Sequence, residues 1–385
     1  YMKFPFLIIS VFVGLSISCD NEPYKWAPSY NATWPCENGV ADIYPCSGYD
    51  LMSYLSLQDL TPEGINNGNL AGNDSWGWTD PNTNKEYALV GLSSHAAFVD
   101  ISNPSLPVLI GVLPTATVNS PWRDIKVYQN HAFIVSEASG HGMQVFNLTR
   151  LRDVDDAPEI FTADTHFTDF GSAHNIVINE ESGYAYVVGA NRNGPFSGGA
   201  IFINIQNPTV PIFEGGFGEE GYSHDAQVIN YSGPDADYNG KEILVGSNEN
   251  EIVIVDVTDK ANPITISTVG YSNIGYTHQG WFTEDLNHFI VGDELDELNI
   301  GTNTRTLIFN FSDLDNPVYD FDYLGSTLAI DHNGYPFGDN YYLANYTAGI
   351  RVLDLSQIAN NTISEIGFFD TYPEKEIAAI DRVWN

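Results

Sequence analysis

Six apolar strands that end in Asp or Asn recur about fifty residues apart along the chain. They are Ala96-Ala97-Phe98-Val99-Asp100, Met143-Gln144-Val145-Phe146-Asn147, Ala200-Ile201-Phe202-Ile203-Asn204, Ile252-Val253-Ile254-Val255-Asp256, Thr306-Leu307-Ile308-Phe309-Asn310 and Ile350-Arg351-Val352-Leu353-Asp354. Turn chemistry follows most of them, as in Ser102-Asn103-Pro104, Gln206-Asn207-Pro208, Asn262-Pro263 and Asn316-Pro317. A period of this length built only of short strands is the mark of a β-propeller, in which each repeat is one four-stranded blade. The chain therefore reads as all-β. After Asp370 a further innermost strand is expected to begin, and Asp50–Leu57 is an unassigned strand of the right length to close the outer edge of the last blade. The expectation is a seven-bladed propeller over residues 50–385, its last blade truncated in this chain and partly completed by that N-terminal strand.

Residues 1–49 read differently. Lys3 and the apolar run from Phe4 to Leu15 resemble an export signal too short to span a bilayer. Small residues lead directly into Cys19, so residues 1–18 read as a lipoprotein signal and Cys19 as the lipidated residue. An ordinary cleaved signal with an incidental cysteine is the alternative. The expected location is the bacterial cell envelope, at the outer membrane or cell surface. Residues 19–49 form a linker in which Cys36 and Cys46 are expected to pair, as thiols of exported proteins do. Fifty acidic residues against 14 basic ones give a net charge of −36, which repels a phosphate backbone and argues against nucleic acid as a partner.

Aligned on the repeat, the starts of the innermost strands give one column: Trp76, Arg123, His174, His224, His278, His332 and Trp384. The next column is Gly77, Asp124, Asn175, Asp225, Gln279, Asn333 and Asn385. Innermost strands line the axial channel, so each column becomes a ring of side chains. Four histidines from consecutive blades are candidate ligands for a divalent transition metal, with Asp124, Asn175, Asp225 and Asn333 as candidate partners for their second nitrogens. Propellers also use one polar residue per blade simply to register the inner strands, and both readings stay open. Arg123 in such a ring would repel a cation and favour an anionic ligand. A second candidate is Asp235-Ala236-Asp237-Tyr238-Asn239-Gly240, whose Asp235, Asp237 and Asn239 alternate as in calcium loops, although Asp, Asn and Gly also make plain hairpin turns. Asp293-Glu294 with Asp296-Glu297 reads as a solvated acidic loop. His95, His131, His141, His166 and His288 share no column and read as loop or strand-edge residues.

Several stretches resemble the choice-of-anchor B family, whose members carry LVIVD-type repeats. They include Trp122-Arg123-Asp124-Ile125-Lys126-Val127-Tyr128, Gly140-His141-Gly142-Met143-Gln144-Val145-Phe146, Ser172-Ala173-His174-Asn175-Ile176, Tyr222-Ser223-His224-Asp225-Ala226-Gln227, Tyr276-Thr277-His278-Gln279-Gly280-Trp281 and Ile330-Asp331-His332-Asn333. The resemblance implies an exported, surface-tethered propeller and carries no activity. The resulting expectation is a monomeric, lipid-anchored scaffold that binds a protein, peptide or glycan. The alternative is a metal-dependent enzyme (a lyase, hydrolase or oxygenase) with His174, His224, His278 and His332 at its centre.

Overall fold

A computed structural model of the chain describes residues 33–65 and 68–373. Residues 1–18, Cys19, Trp384 and Asn385 lie outside the described residues. Over the described residues the architecture is a six-bladed β-propeller of four-stranded blades. The innermost strands are Gly72–Thr79, Arg123–Tyr128, Asn175–Asn179, Asp225–Asn230, Thr277–Phe282 and Gly334–Phe337.

The recurrent Asp or Asn has a local cause. In each of the six blades the third strand ends on a residue whose side-chain oxygen accepts the backbone N–H two positions on. The pairs are Asp100 with Ser102, Asn147 with Thr149, Asn204 with Gln206, Asp256 with Thr258, Asn310 with Ser312 and Asp354 with Ser356. Such a turn stops the strand without leaving a backbone donor unpaired. The apolar run before it is buried on both faces between neighbouring blades. Phe98 and Phe146, for example, stack 4.7 Å apart between blades 1 and 2. Fully burying one such side chain stabilises by roughly 1.5–3 kcal/mol.

The blade count corrects the expectation of seven. Blade 1 presents an apolar face made by Leu92, Ala97, Val99 and Val112, and this face is covered by Leu55, Leu57, Leu60, Ile65 and Leu70 of the N-terminal segment. The apolar residues that suggested a strand at Asp50–Leu57 thus serve as irregular covering chain, with Leu51 alone bridging back to Trp34. The strand that does close the last blade lies earlier. Tyr44–Ser47 pairs antiparallel with the outermost strand, Ser364–Phe369, and covers its free edge. Cys36 and Cys46 form a disulfide beside it.

One short strand joins the sheet of the neighbouring blade. Glu159–Ile160 pairs in parallel with Val108–Pro114 of blade 1, and Thr165–Phe167 completes blade 2 instead. Gly111 makes this possible, since a Cβ there would sit 2.5 Å from the Glu159 carbonyl and from the Phe161 ring. Among the described residues no helix is long and apolar enough to cross a membrane.

Candidate functional site

The inner strands are registered by side chains that reach across to the next blade. Asp74 accepts the Ile125 N–H at 3.1 Å, Asp124 the Ile176 N–H at 2.7 Å and Gln227 the Phe282 N–H at 2.8 Å. Gln279 takes both the N–H and the carbonyl of Gly334. Asp124 and Gln279 therefore hold backbone rather than histidine nitrogens. The same pattern corrects the column in blade 1. Asn73 accepts the Arg123 N–H at 2.7 Å, so Asn73 and Asp74 stand where Trp76 and Gly77 were expected. The strand pairing is irregular there, with one extra residue between Gly72 and Ser75.

Arg123 starts the inner strand of blade 2, yet its guanidinium turns away from the axis. It is fully buried and donates to the Leu92 carbonyl at 2.9 Å, to Thr115 at 2.7 Å and to His141 Nε2 at 3.0 Å. The predicted preference for an anionic ligand loses its basis.

The four axial histidines form an arc of tilted rings. Centroid separations are 4.2 Å from His174 to His224, 4.4 Å from His224 to His278 and 4.3 Å from His278 to His332. They line an axial cavity of about 530 Å³ together with Asp74, Asp124, Asn175, Asp225 and Asn333. Tyr222, Tyr276 and Tyr335 supply its aromatic surface, and Glu137 and Glu294 add carboxylates. His174 Nδ1 lies 2.6 Å from Glu137, and His224 Nδ1 lies 3.3 Å from the His278 carbonyl. His278 Nε2 lies 3.8 Å from Glu294 Oε2. Glu294 accepts the Tyr346 hydroxyl on its other oxygen.

Electrostatics in this wall follow from burial. Burial and the neighbouring rings hold His224 and His278 well below the ordinary histidine value and His332 at about 3, so these rings are neutral. Burial pushes Asp225 up to about 7, against the pull of Lys126. Lys126 itself is buried, 2.7 Å from Asp124 and 3.5 Å from Asp74, with its ammonium over the Trp76 ring. Burial raises its partner Asp74, aided by Asp124, while the lysine keeps Asp124 below the ordinary carboxylate value.

Glu137 and Glu294 escaped sequence reasoning because neither belongs to an inner strand. Each directly follows the second strand of its blade, His131–Ser136 or His288–Asp293, and that shared position is the signal that could have found them. The acidic loop around Glu294 is not solvated as expected: Asp293 and Asp296 are fully buried, with Arg305 2.8 Å from Asp296. His95 and His141, read as edge residues, are also fully buried.

The hairpin candidate is arranged differently from a calcium loop. Asp235 caps a short helix by accepting the Asp237 N–H, and its other oxygen accepts the Leu314 N–H at 2.8 Å. The acidic groups gathered there are Asp235, Asp313 and Asp315, the last two from the next blade, rather than Asp237 and Asn239.

The LVIVD repeat, a family that forms propellers, matches residues 86–115 and 240–270. The chain carries LVIVD repeats. The two matched stretches span the second, third and fourth strands of blades 1 and 4. No curated protein matches the sequence. Solved propellers resemble it in fold alone. One is a "putative 6-phosphogluconolactonase" from Bacteroides fragilis, 13% identical, with 75% of this chain and 82% of that chain covered at a TM-score of 0.54. Another is a hypothetical selenium-binding protein from Sulfolobus tokodaii, 9% identical, with 76% and 78% covered at a TM-score of 0.50.

Proposed function

We propose that this LVIVD-repeat chain is an exported binding scaffold, tethered through a lipid on Cys19 in the manner of the choice-of-anchor B proteins it resembles. Its ligand is the end of a glycan, held in the axial cavity. The observation that carries this reading is the chemistry of the wall. Asp74, Asp124, Asp225, Glu137 and Glu294 offer acceptors, and the side-chain oxygens of Asn175 and Asn333 are buried there without a hydrogen-bond partner among the described residues. The carboxylates and amide oxygens accept, the imidazoles, tyrosines and amide N–H groups donate, and sugar hydroxyls, which do both, match such a wall. The volume falls in the range of small-ligand sites, and tyrosine faces suit the apolar face of a sugar ring. The acidity of the wall disfavours anionic sugars.

Isothermal titration of the full chain against neutral oligosaccharides, in buffer containing EDTA, tests this reading. Saturable binding is expected, weakened about tenfold in Asn175→Ala or Tyr276→Ala, as loss of one buried hydrogen bond or one stacking face implies. A folded protein that binds no neutral glycan would refute it. Radiolabelled fatty acid retained by the wild type and lost in Cys19→Ser checks the tether separately.

A further inference from the structure

One of the four axial histidines, His278, stands apart from the others. His174 is occupied by Glu137, and His224 reaches the carbonyl of His278. His278 is 3% exposed, yet neither of its nitrogens is committed to the scaffold. One faces Glu294 at 3.8 Å and the other has no hydrogen-bond partner among the described residues. A buried imidazole left in this state costs free energy unless something else takes up its lone pair. One nitrogen each of His278 and His332 and one carboxylate oxygen of Glu294 lie within 4.8 Å of one another.

We propose that His278, Glu294 and His332 hold a divalent first-row transition metal ion in the axial cavity. Bonds of about 2.1 Å in a tetrahedral site place neighbouring donors about 3.4 Å apart, so the His278–Glu294 pair at 3.8 Å is already close and the three groups need to draw in by about 1.4 Å at most. Their supports are firm. His278 lies in the inner strand of blade 5, and Glu294 directly follows the second strand of the same blade. His332 donates its backbone N–H to Ala344 at 2.9 Å, just ahead of the inner strand of blade 6. The Tyr346 hydroxyl on Glu294 Oε1 turns Oε2 toward His278, the kind of outer contact that orients a metal ligand. Two imidazoles and one carboxylate suit Zn, Fe(II), Co(II) or Ni(II) and leave open positions facing the cavity. The surrounding wall is acidic, and Lys126 is already paired with Asp124. The site deepens the glycan-binding reading, since a bound ion would offer its open positions to ligand hydroxyls, but it does not need that reading to hold.

The test uses the full chain stripped with EDTA and titrated with Zn(II), and with Co(II) for its visible absorption, in the absence of any glycan. One equivalent per chain is expected, with affinity reduced at least 100-fold in Glu294→Gln and in His278→Asn. The surface variant His166→Asn is expected to bind as the wild type does. Thermal melts of the metal-free variants establish that each is folded. Anomalous scattering from wild-type crystals grown with the metal gives a readout independent of any variant, with the peak expected between His278, Glu294 and His332. The proposal is overturned by absence of stoichiometric binding, by a peak elsewhere, or by unchanged affinity in Glu294→Gln. It is overturned equally if His174→Asn and His224→Asn weaken binding as much as the ligand variants do. Glycan titrations in EDTA and metal titrations without glycan let the two readings fail separately.

Discussion

His141 and His278 are both sealed from solvent, and they differ in what holds their nitrogens. His141 Nε2 accepts from Arg123 at 3.0 Å while Nδ1 reaches the Gly142 carbonyl at 3.0 Å, so its tautomer is fixed with the proton on Nδ1. His95 is equally complete, bonded to Ser94 through Nδ1 and to the Leu60 carbonyl through Nε2. His278 has no such partners. The fold satisfies His95 and His141 and leaves the axial His278 open. A satisfied buried imidazole is part of the scaffold; an unsatisfied one facing a cavity is a place for a ligand.

The sharpest way to break this contrast is to remove the group that completes the first kind. Arg123→Met keeps the apolar stem of the side chain and deletes its donors, orphaning the Leu92 carbonyl, Thr115 and His141. A loss of about 3 kcal/mol in urea unfolding is expected. A loss below about 1 kcal/mol would mean that the Arg123–His141 cluster is not what locks blades 1 and 2 together.

pH separates the two regions in the opposite sense. Burial, with Arg123 and His166 nearby, holds His141 at about 4, against 6.5 when unfolded. Protonated Nε2 would point an N–H at the guanidinium. The unfolded chain therefore binds a proton that the folded chain refuses, and this group's stabilisation, complete above pH 6.5, is lost as pH falls toward 4. The shift sets an upper bound of about 3 kcal/mol. Asp225 runs the other way. Its folded value of about 7 lies above 3.8 when unfolded, so its cost is absent below pH 3.8 and grows to completion above pH 7. In the wild type the two trends oppose each other over nearly the same window. His141→Gln is expected to expose a stability that falls as pH rises from 4 to 7. Asp225→Asn exposes one that rises over the same range, and above pH 7 it gains about 2 kcal/mol over the wild type. Chemical denaturation at pH 4.5 and pH 8 measures both, and parallel profiles for the two variants would remove the proposed contrast.

The two regions also differ in how far sequence reasoning reached. The period was legible because each blade repeats a local device, an apolar strand closed by an Asp or Asn side chain on its own backbone, and local chemistry survives in sequence. The axial histidines were legible for the same reason, each sitting at one phase of that period. The blade number was not. The apolar stretch around Leu55 and Leu57 covers blade 1 as irregular chain, and apolarity alone does not distinguish that from a strand. Trp76 stands three residues from Asn73, the position that meets Arg123, and a count of residues along the period does not resolve that offset. Arg123 sat at the right phase but with its side chain between blades, a matter of rotamer and partners that the period does not encode. Glu137 and Glu294 were not legible because they stand just after second strands, outside the phase that marks the inner ones.

The smallest expected effect is the most diagnostic. His224→Ala, in metal-free protein, removes one hydrogen bond of 3.3 Å and a ring that borders the cavity. It should cost less than about 1 kcal/mol, since no buried partner other than one carbonyl is orphaned and the space opens to the cavity rather than to a sealed void. His95→Ala, of the same chemistry but inside a filled site, should cost about 2–3 kcal/mol because it strands Ser94 and the Leu60 carbonyl and leaves a cavity. Equal losses for the two variants in paired urea titrations would show that the axial arc is as structural as the histidines between the blades. A loss for His224→Ala several times smaller than for His95→Ala would place the arc among residues kept for what they bind, because stability alone would not require them.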